Sequence, residues 1–276
     1  MDIRLFPAIG GRGPRVLVMA VALVLGACAE DKQDYVERPV EQLYNEAADL
    51  LDEGSYAAAA EAFDEVERQH PYSQWATRAQ IMAAYANYQA NDYDAAVIAA
   101  DRFLQLHPGH PDAAYARYLI ALSYYEQISD VQRDQRLTKL ALDALEDVVR
   151  RNPDTGYARD AQIKIDLTHD HLAGKEMAIG RFYLKRGDYV GAINRFRSVI
   201  DGYQTTSHVP EALHRLVECY LLLGVEAEAT RYAAVLGHNF PGSPWYQDSY
   251  ALLVEHNLAP EGGQKSWLAQ AWDSVF

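Results

Sequence analysis

The chain has 276 residues and a formal net charge of −14, from 39 acidic and 25 basic residues. This balance argues against nucleic acid as a partner, because phosphate binding requires a basic footprint. It equally disfavours electrostatic docking on an anionic membrane surface, so any membrane attachment has to come from a lipid group.

The first predicted element is a secretory leader over residues 1–27. Three arginines precede the apolar run VLVMAVALVL, which is too short to span a bilayer as a stable helix. The run ends in LGAC, and this ending resembles a bacterial lipobox. The resemblance implies cleavage before Cys28, acylation of its thiol and an acylated linker over residues 28–38. Ala29 follows rather than aspartate, which in lipoproteins indicates export to the outer membrane.

Cysteine usage then limits how the fold is held together. The chain has two cysteines, and the lipobox interpretation uses one of them. Cys219 is left alone in an apolar stretch, where a small buried thiol is expected. Stability must therefore come from a hydrophobic core rather than from disulfides.

Internal repeats organise the remainder of the chain. Three segments share one pattern: GSYAAAAEAF (54–63), NDYDAAVIAA (91–100) and GDYVGAINRF (187–196). Each has a turn residue, a candidate helix N-cap, a tyrosine and, three positions later, an alanine; the candidate caps are Ser55, Asp92 and Asp188. Weaker copies occupy residues 137–153 and 226–241. The pattern resembles the tetratricopeptide repeat and predicts an all-α solenoid of about five helix-turn-helix repeats.

Two irregularities divide this solenoid. The segment YEQISDVQRDQRL (125–137) lengthens the spacing between the second and third copies, as a loop insertion does. Residues 157–186 contain no proline and are predicted to form one connecting helix, about 45 Å long at 1.5 Å per residue. We therefore assign repeats one to three to residues 39–156, repeats four and five to 187–256, and a tail to 257–276.

No motif of catalytic or metal-binding chemistry occurs in the sequence. It lacks a G-x-S-x-G elbow, a Walker loop and an H-E-x-x-H pair. His169 and His171 are two residues apart, so on a helix they point in different directions. We predict a protein that is not an enzyme and that uses no cofactor or metal.

Tyrosine is unusually abundant, with 19 tyrosines against 7 phenylalanines. Six tyrosines fall on the predicted first helices of repeats one to three: Tyr44, Tyr85, Tyr88, Tyr115, Tyr118 and Tyr124. Most are expected to be packing residues. The others are expected to offer an amphipathic wall for an aromatic peptide, because a tyrosine buries its ring and keeps a polar tip.

Several segments resemble the BamD (ComL/YfiO) family, the repeat lipoproteins of the outer-membrane β-barrel assembly machinery. They are RQHPYSQWATRAQIMAAYANY (68–88), DRFLQLHPGHPDAAYARYLIALSYYEQ (101–127), RDQ (133–135), NPDTGYARDA (152–161) and GRFYLKRGDYVGAINRF (180–196). The resemblance implies a lipid-anchored protein of the outer membrane that faces the periplasm. It also implies partners: the periplasmic domains of the barrel insertase BamA, other Bam lipoproteins and unfolded barrel proteins.

The resemblance further implies two sites. The N-terminal repeats would receive the C-terminal targeting peptides of barrel proteins, in a pocket formed by His70, Tyr85, Tyr88, Tyr115 and Tyr118. His70 departs from the family, in which an aromatic phenol is common at this place. The C-terminal repeats would dock on BamA through Arg195, since a guanidinium pairs a carboxylate in bidentate fashion.

Two other functions compete with barrel assembly. A repeat lipoprotein can be a pilotin that escorts a secretin, although pilotins usually lack the 126–136 insertion and the long connecting helix. A helical-solenoid murein hydrolase is the enzyme alternative, and it requires an appended catalytic domain for which this chain leaves no room.

Overall fold

The computed structural model describes residues 37–258, and within this range the chain is helical and has no strand. Its eleven helices are α1 (Val40–Asp52), α2 (Tyr56–Gln69), α3 (Gln74–Gln89), α4 (Tyr93–Leu106), α5 (Ala113–Tyr125), α6 (Arg136–Arg151), α7 (Gly156–Lys185), α8 (Tyr189–Gly202), α9 (Val209–Leu222), α10 (Glu226–Asn239) and α11 (Pro244–Glu255). All of them belong to one compact unit that begins at Pro39. The predicted leader, Cys28 and residues 259–276 lie outside the described residues.

The helices form five antiparallel pairs, α1–α2 to α9–α10, followed by the single helix α11. Each helix packs on the next one along the chain, and the first helices of repeats one to four also contact one another in succession. The second helices all end in the same backbone conformation, with φ between −131° and −135° and ψ between 47° and 58°. The residues at these ends are His70, His107, Asn152, Tyr203 and Phe240. The predicted all-α solenoid of five repeats is therefore confirmed.

The turn between the two helices has a common geometry in four of the five repeats. Gly54, Asn91, Gly187 and Gly224 follow the first helices of repeats one, two, four and five with φ between +61° and +78°. This left-handed conformation closes a helix C-terminus and favours residues without a large Cβ penalty. Repeat three has residues 126–135 at this place instead. The predicted insertion thus lies inside repeat three, between α5 and α6.

Two of the three predicted N-caps form hydrogen bonds. Asp92 Oδ1 accepts from Ala95 N at 3.1 Å, and Asp188 Oδ1 accepts from Gly191 N at 2.9 Å. Ser55 occupies the N-cap of α2 but makes no side-chain capping bond. All three candidates therefore stand at the predicted N-cap positions with similar backbone angles, and the aspartate carboxylates, which are one bond longer than the serine hydroxyl, reach the free N–H groups.

Small and large residues alternate in the repeat core as the sequence pattern predicts. The alanines of the pattern are fully buried, and so are the phenylalanines Phe63, Phe103 and Phe196. A very close approach joins α7 and α8, where the Phe196 ring lies against Gly180. A Cβ at Gly180 would stand only 2.5 Å from Phe196 Cε1. A glycine is therefore required in α7 for α8 to approach this closely.

Helix α7 is the longest in the described chain, with 30 residues from Gly156 to Lys185. It packs on α5 and α6 of repeat three and on α8, so the predicted connecting helix is at the same time the first helix of repeat four. At about 1.5 Å per residue it extends about 45 Å. Within residues 37–258, no helix combines the length and the apolar character that crossing a membrane requires.

Candidate functional site

A cluster of tyrosines lies where the first helices of repeats two, three and four meet. We call it the tyrosine cluster; its members are Tyr85, Tyr88, Tyr115, Tyr118 and Tyr157. The ring of Tyr157, from α7, contacts two rings of α5, at centroid distances of 5.6 Å from Tyr115 and 5.1 Å from Tyr118. Tyr85 and Tyr88 of α3 are partly buried and pack against the core of repeat two. The four tyrosines of the expected peptide pocket therefore assemble at one place, joined by Tyr157.

Burial shapes the chemistry of two of these phenols. Burial and the Glu126 carboxylate raise the pKa of Tyr88 to about 12. Burial, followed by the neighbouring Tyr85 and Tyr157, raises the pKa of Tyr115 as well. Tyr88 and Tyr115 are consequently neutral at physiological pH. They offer ring faces and O–H donors but no negative charge.

A row of hydrogen-bonded polar side chains borders the tyrosine cluster on α7. The Tyr118 hydroxyl donates to Asp160 Oδ2, and Lys164 Nζ lies 3.0 Å from the same carboxylate oxygen. The hydrogen bond from Tyr118 is the largest cause that lowers the pKa of Asp160. Lys164 also stands 5.4 Å from the centroid of the Tyr125 ring, within cation–π range. The edge of the cluster therefore presents a fixed carboxylate and a fixed ammonium group.

Tyr157 was not among the predicted site residues, although the sequence carries a signal for it. The segment PDTGYAR (153–159) repeats PDAAYAR (111–117), which contains Tyr115. The repeated segment places a tyrosine at the start of α7 as it does at the start of α5. Comparing the two segments would have added Tyr157, which is 36% exposed.

His70 and Tyr44 lie away from the tyrosine cluster. His70 ends α2 in the loop that precedes α3, whereas Tyr85 and Tyr88 lie in the last five residues of α3. From Gln74 to Tyr85 the helix rises about 16 Å. Tyr44 packs on Phe63 and Trp75, with ring centroids 5.4 and 4.8 Å away. Tyr44 is thus a core residue, as expected for most of these tyrosines.

Arg195 lies on α8, next to the buried Phe196. Its Nη1 donates to Glu176 Oε2 of α7 at 3.1 Å, and its side chain is 42% exposed. One donor of the guanidinium is therefore held by a carboxylate of the same chain, while part of the side chain remains exposed. Arg195 and Glu176 lie on different helices and are 19 residues apart in the sequence, so the side-chain pattern of either helix alone does not indicate that they pair.

The surroundings of the histidine and cysteine side chains bear on metal binding and thiol reactivity. Among residues 37–258, no group of three or more histidine, cysteine or carboxylate side chains is arranged to hold a metal ion. Cys219 is fully buried, and burial raises the pKa of its thiol to about 12. His169 contacts the ring of Tyr203 at 5.8 Å.

Comparisons with known proteins agree on one family. The family model YfiO, described as an outer membrane lipoprotein, matches residues 36–236. A Caulobacter vibrioides protein named outer membrane protein assembly factor BamD is 55% identical over 246 residues, covering 88% of this chain and 81% of its own length. A Rickettsia prowazekii protein of the same name is 50% identical, covering 87% of this chain and 96% of its own.

Among solved structures, a thermophilic TPR protein from Thermus thermophilus is 19% identical with a TM-score of 0.36; the match covers 78% of this chain and 99% of that one. The family model spans most of the chain, and the two relatives share half or more of its residues over most of their length. The chain therefore belongs to the YfiO family of outer membrane lipoproteins, together with the BamD proteins.

Proposed function

We propose that the chain is an assembly factor for outer-membrane proteins, the role that the names of its relatives state, and that it acts without catalysis. In this proposal Cys28 carries the lipid anchor and the repeats face the periplasm. More than one acyl chain would be needed there, since a single chain gives only marginal membrane binding. The solenoid then presents two recognition surfaces, one on repeats two to four and one on the junction of α7 and α8.

The first surface, the tyrosine cluster, binds the aromatic C-terminal peptides of unfolded barrel proteins. The observation that carries this proposal is the seating of Tyr157 against Tyr115 and Tyr118 with part of its ring exposed. Aromatic rings stack with offset or tilted geometry, and a buried aromatic side chain contributes about 1–3 kcal/mol before ordering costs. Neutral phenols avoid repelling a peptide carboxylate, and the edge carries the ammonium group of Lys164, which is paired with Asp160.

Peptide titration tests this surface. We expect Tyr157→Ala to weaken binding of a peptide with a terminal phenylalanine by about tenfold, since about 1.4 kcal/mol of contact is lost. Tyr189→Ala is the matched control, because Tyr189 also stands at a helix start and is partly exposed. A peptide whose terminal phenylalanine is replaced by alanine should bind both variants equally weakly. Equal binding of the two peptides to the wild-type chain would contradict the proposal.

The second surface docks on the periplasmic domains of BamA through Arg195. An exposed guanidinium with free donors can pair a partner carboxylate, and desolvation at an interface strengthens that pair. Glu176 holds one donor and orients the side chain, while 42% of the side chain stays exposed. Arg195→Glu should therefore abolish co-purification of BamA.

A charge swap separates this role from a structural one. Arg195→Glu leaves two carboxylates facing each other, whereas Arg195→Glu combined with Glu176→Arg restores the internal pair. An exposed ion pair contributes about 0–1 kcal/mol, so the single variant should lose little stability and the swap even less. Binding should fail in both. Recovery of BamA binding by the swap would show that only the internal pair matters, and capture of a secretin instead of BamA would favour the pilotin.

A further inference from the structure

The insertion inside repeat three is fastened to α7. Lys175 Nζ donates to the backbone oxygen of Gln132 at 2.8 Å and lies 3.4 Å from that of Arg133. Val131 packs at Gly174, where an added Cβ would lie 3.5 Å from Val131 Cγ1. The loop is therefore held on the second half of α7, close to the residue that pairs Arg195.

A cleft of about 460 Å³ opens between this loop and α7. Its wall includes Arg133, Lys139 and Lys175 as cationic residues and Asp134 and Glu176 as carboxylates. Leu172, Ile179 and Tyr203 provide its apolar part. The volume falls in the range of pockets that bind small ligands or several side chains.

The charge of the cleft is opposite to that of the chain. Its lining contains three cationic residues and two carboxylates, and one of these carboxylates, Glu176, is paired with Arg195 at 3.1 Å. Arg133 and Lys139 are exposed, and neither forms an ion pair with a carboxylate of residues 37–258. The chain as a whole carries a net charge of −14. A local cationic surface on such a chain attracts an acidic partner and sets its orientation.

We propose that this cleft binds an acidic segment of a protein partner, with Arg133 and Lys139 receiving its carboxylates beside Arg195. The inference rests on the proposed docking of Arg195 and extends that surface onto the insertion of repeat three. A protein segment fits better than a phospholipid head group because the wall also has an apolar part, formed by Leu172, Ile179 and Tyr203, which accepts the side chains that lie between the carboxylates of such a segment.

Charge reversal in the full chain tests the proposal, with the BamA periplasmic fragment as the probe. Lys139→Glu should weaken binding of the fragment at least tenfold, and adding Arg133→Glu should weaken it further. Arg159→Glu is the control: it makes the same change in net charge at an exposed position of α7, about 20 Å along the helix from Leu172. This control should bind within about twofold of wild type, as a surface change away from the interface does. The wild-type affinity should also fall more steeply with salt than that of the double variant.

The outcomes separate the two proposals. Wild-type binding by both Lys139→Glu and Arg133→Glu, with Arg195→Glu inactive, would overturn the cleft and leave the Arg195 contact standing. Loss with Lys139→Glu but not with Arg195→Glu would support the cleft and refute the role of Arg195. Unchanged fragment binding with lost binding to vesicles of anionic phospholipid would identify a lipid site and overturn the proposal.

Discussion

The contact between Gly180 and Phe196 makes a quantitative prediction about the junction of α7 and α8. A Cβ at position 180 would lie 2.5, 2.8 and 2.9 Å from three atoms of the Phe196 ring. Carbon atoms in contact normally stand about 3.5–4.0 Å apart, so the ring has to move by roughly 1 Å. Phe196 is fully buried, so its neighbours would have to move with it. Overpacking of this kind costs about 1–3 kcal/mol, against which alanine recovers up to about 1 kcal/mol of helix propensity.

Gly180→Ala should therefore destabilise the protein by about 1–2 kcal/mol. Gly202→Ala is the matched control, because Gly202 ends α8 and an added Cβ there meets nothing within 4 Å. It should be neutral or stabilising by up to about 1 kcal/mol. Urea unfolding followed by circular dichroism measures both changes as shifts of the transition midpoint. The two midpoint shifts should have opposite signs, or the shift of Gly180→Ala should be clearly the more destabilising one.

A double variant shows whether the cost arises from this contact. Phe196→Leu removes volume where the Cβ of residue 180 would enter, so the combined variant should be less destabilised than the sum of the two single changes. A stability for Gly180→Ala equal to or above that of Gly202→Ala would refute the packing argument. Additive costs in the double variant would do the same, since they would show that the two residues do not meet.

Three further predictions concern other parts of the chain. Tyr118→Phe should raise the pKa of Asp160 toward its ordinary value, because the phenol donates to that carboxylate, and a carboxyl titration by NMR measures the change. Burial lowers the pKa of His214 below its ordinary value of 6.5, so the unfolded chain takes up a proton there at a higher pH than the folded chain. The free energy of unfolding should fall as the pH falls below about 6.5, and less steeply in His214→Gln, which can keep a bond to Ser249. Cys28→Ser should move the protein from the membrane to the soluble fraction after cell lysis, and continued sedimentation without its partners would contradict the lipid anchor.

The repeats were predictable because the local sequence pattern and the tertiary packing require the same residue types at the same positions. Ala59, Ala96 and Ala192 recur at one position because two helices of a pair must approach there, and all three are fully buried. The same reasoning fails where a side chain depends on geometry that the repeat does not fix. The capping hydrogen bond that Ser55 does not make depends on the exact position of its hydroxyl, and the Arg195–Glu176 pair depends on how two helices cross. Neither requirement leaves a periodic trace in the sequence.

The candidate site was predictable to the same extent. The pattern of first helices placed Tyr85, Tyr88, Tyr115 and Tyr118 near one another, because first helices of successive repeats lie side by side. His70 was carried over from the family resemblance rather than from periodicity, and it lies at the other end of α3 from Tyr85. A family resemblance assigns a function to a residue but does not say what surrounds that residue. The repeat pattern, in contrast, predicts on which face of the solenoid the residue lies.

Helix α7 contributes to both proposed surfaces, and its continuity has a consequence for their coupling. Tyr157 of α7 is a member of the tyrosine cluster. Glu176, which pairs with Arg195, lies about 28 Å further along the same helix. A helix without an interior proline transmits displacement only by moving as a body, and α7 is packed on α5, α6 and α8. Allosteric coupling requires a second arrangement that one ligand favours, and the packing of α7 on three neighbouring helices opposes such a change. Peptide binding should therefore leave the affinity for BamA unchanged within about twofold. A larger change would show that α7 bends or shifts between two packed positions, with Gly174 and Gly180 as the places where its packing is closest.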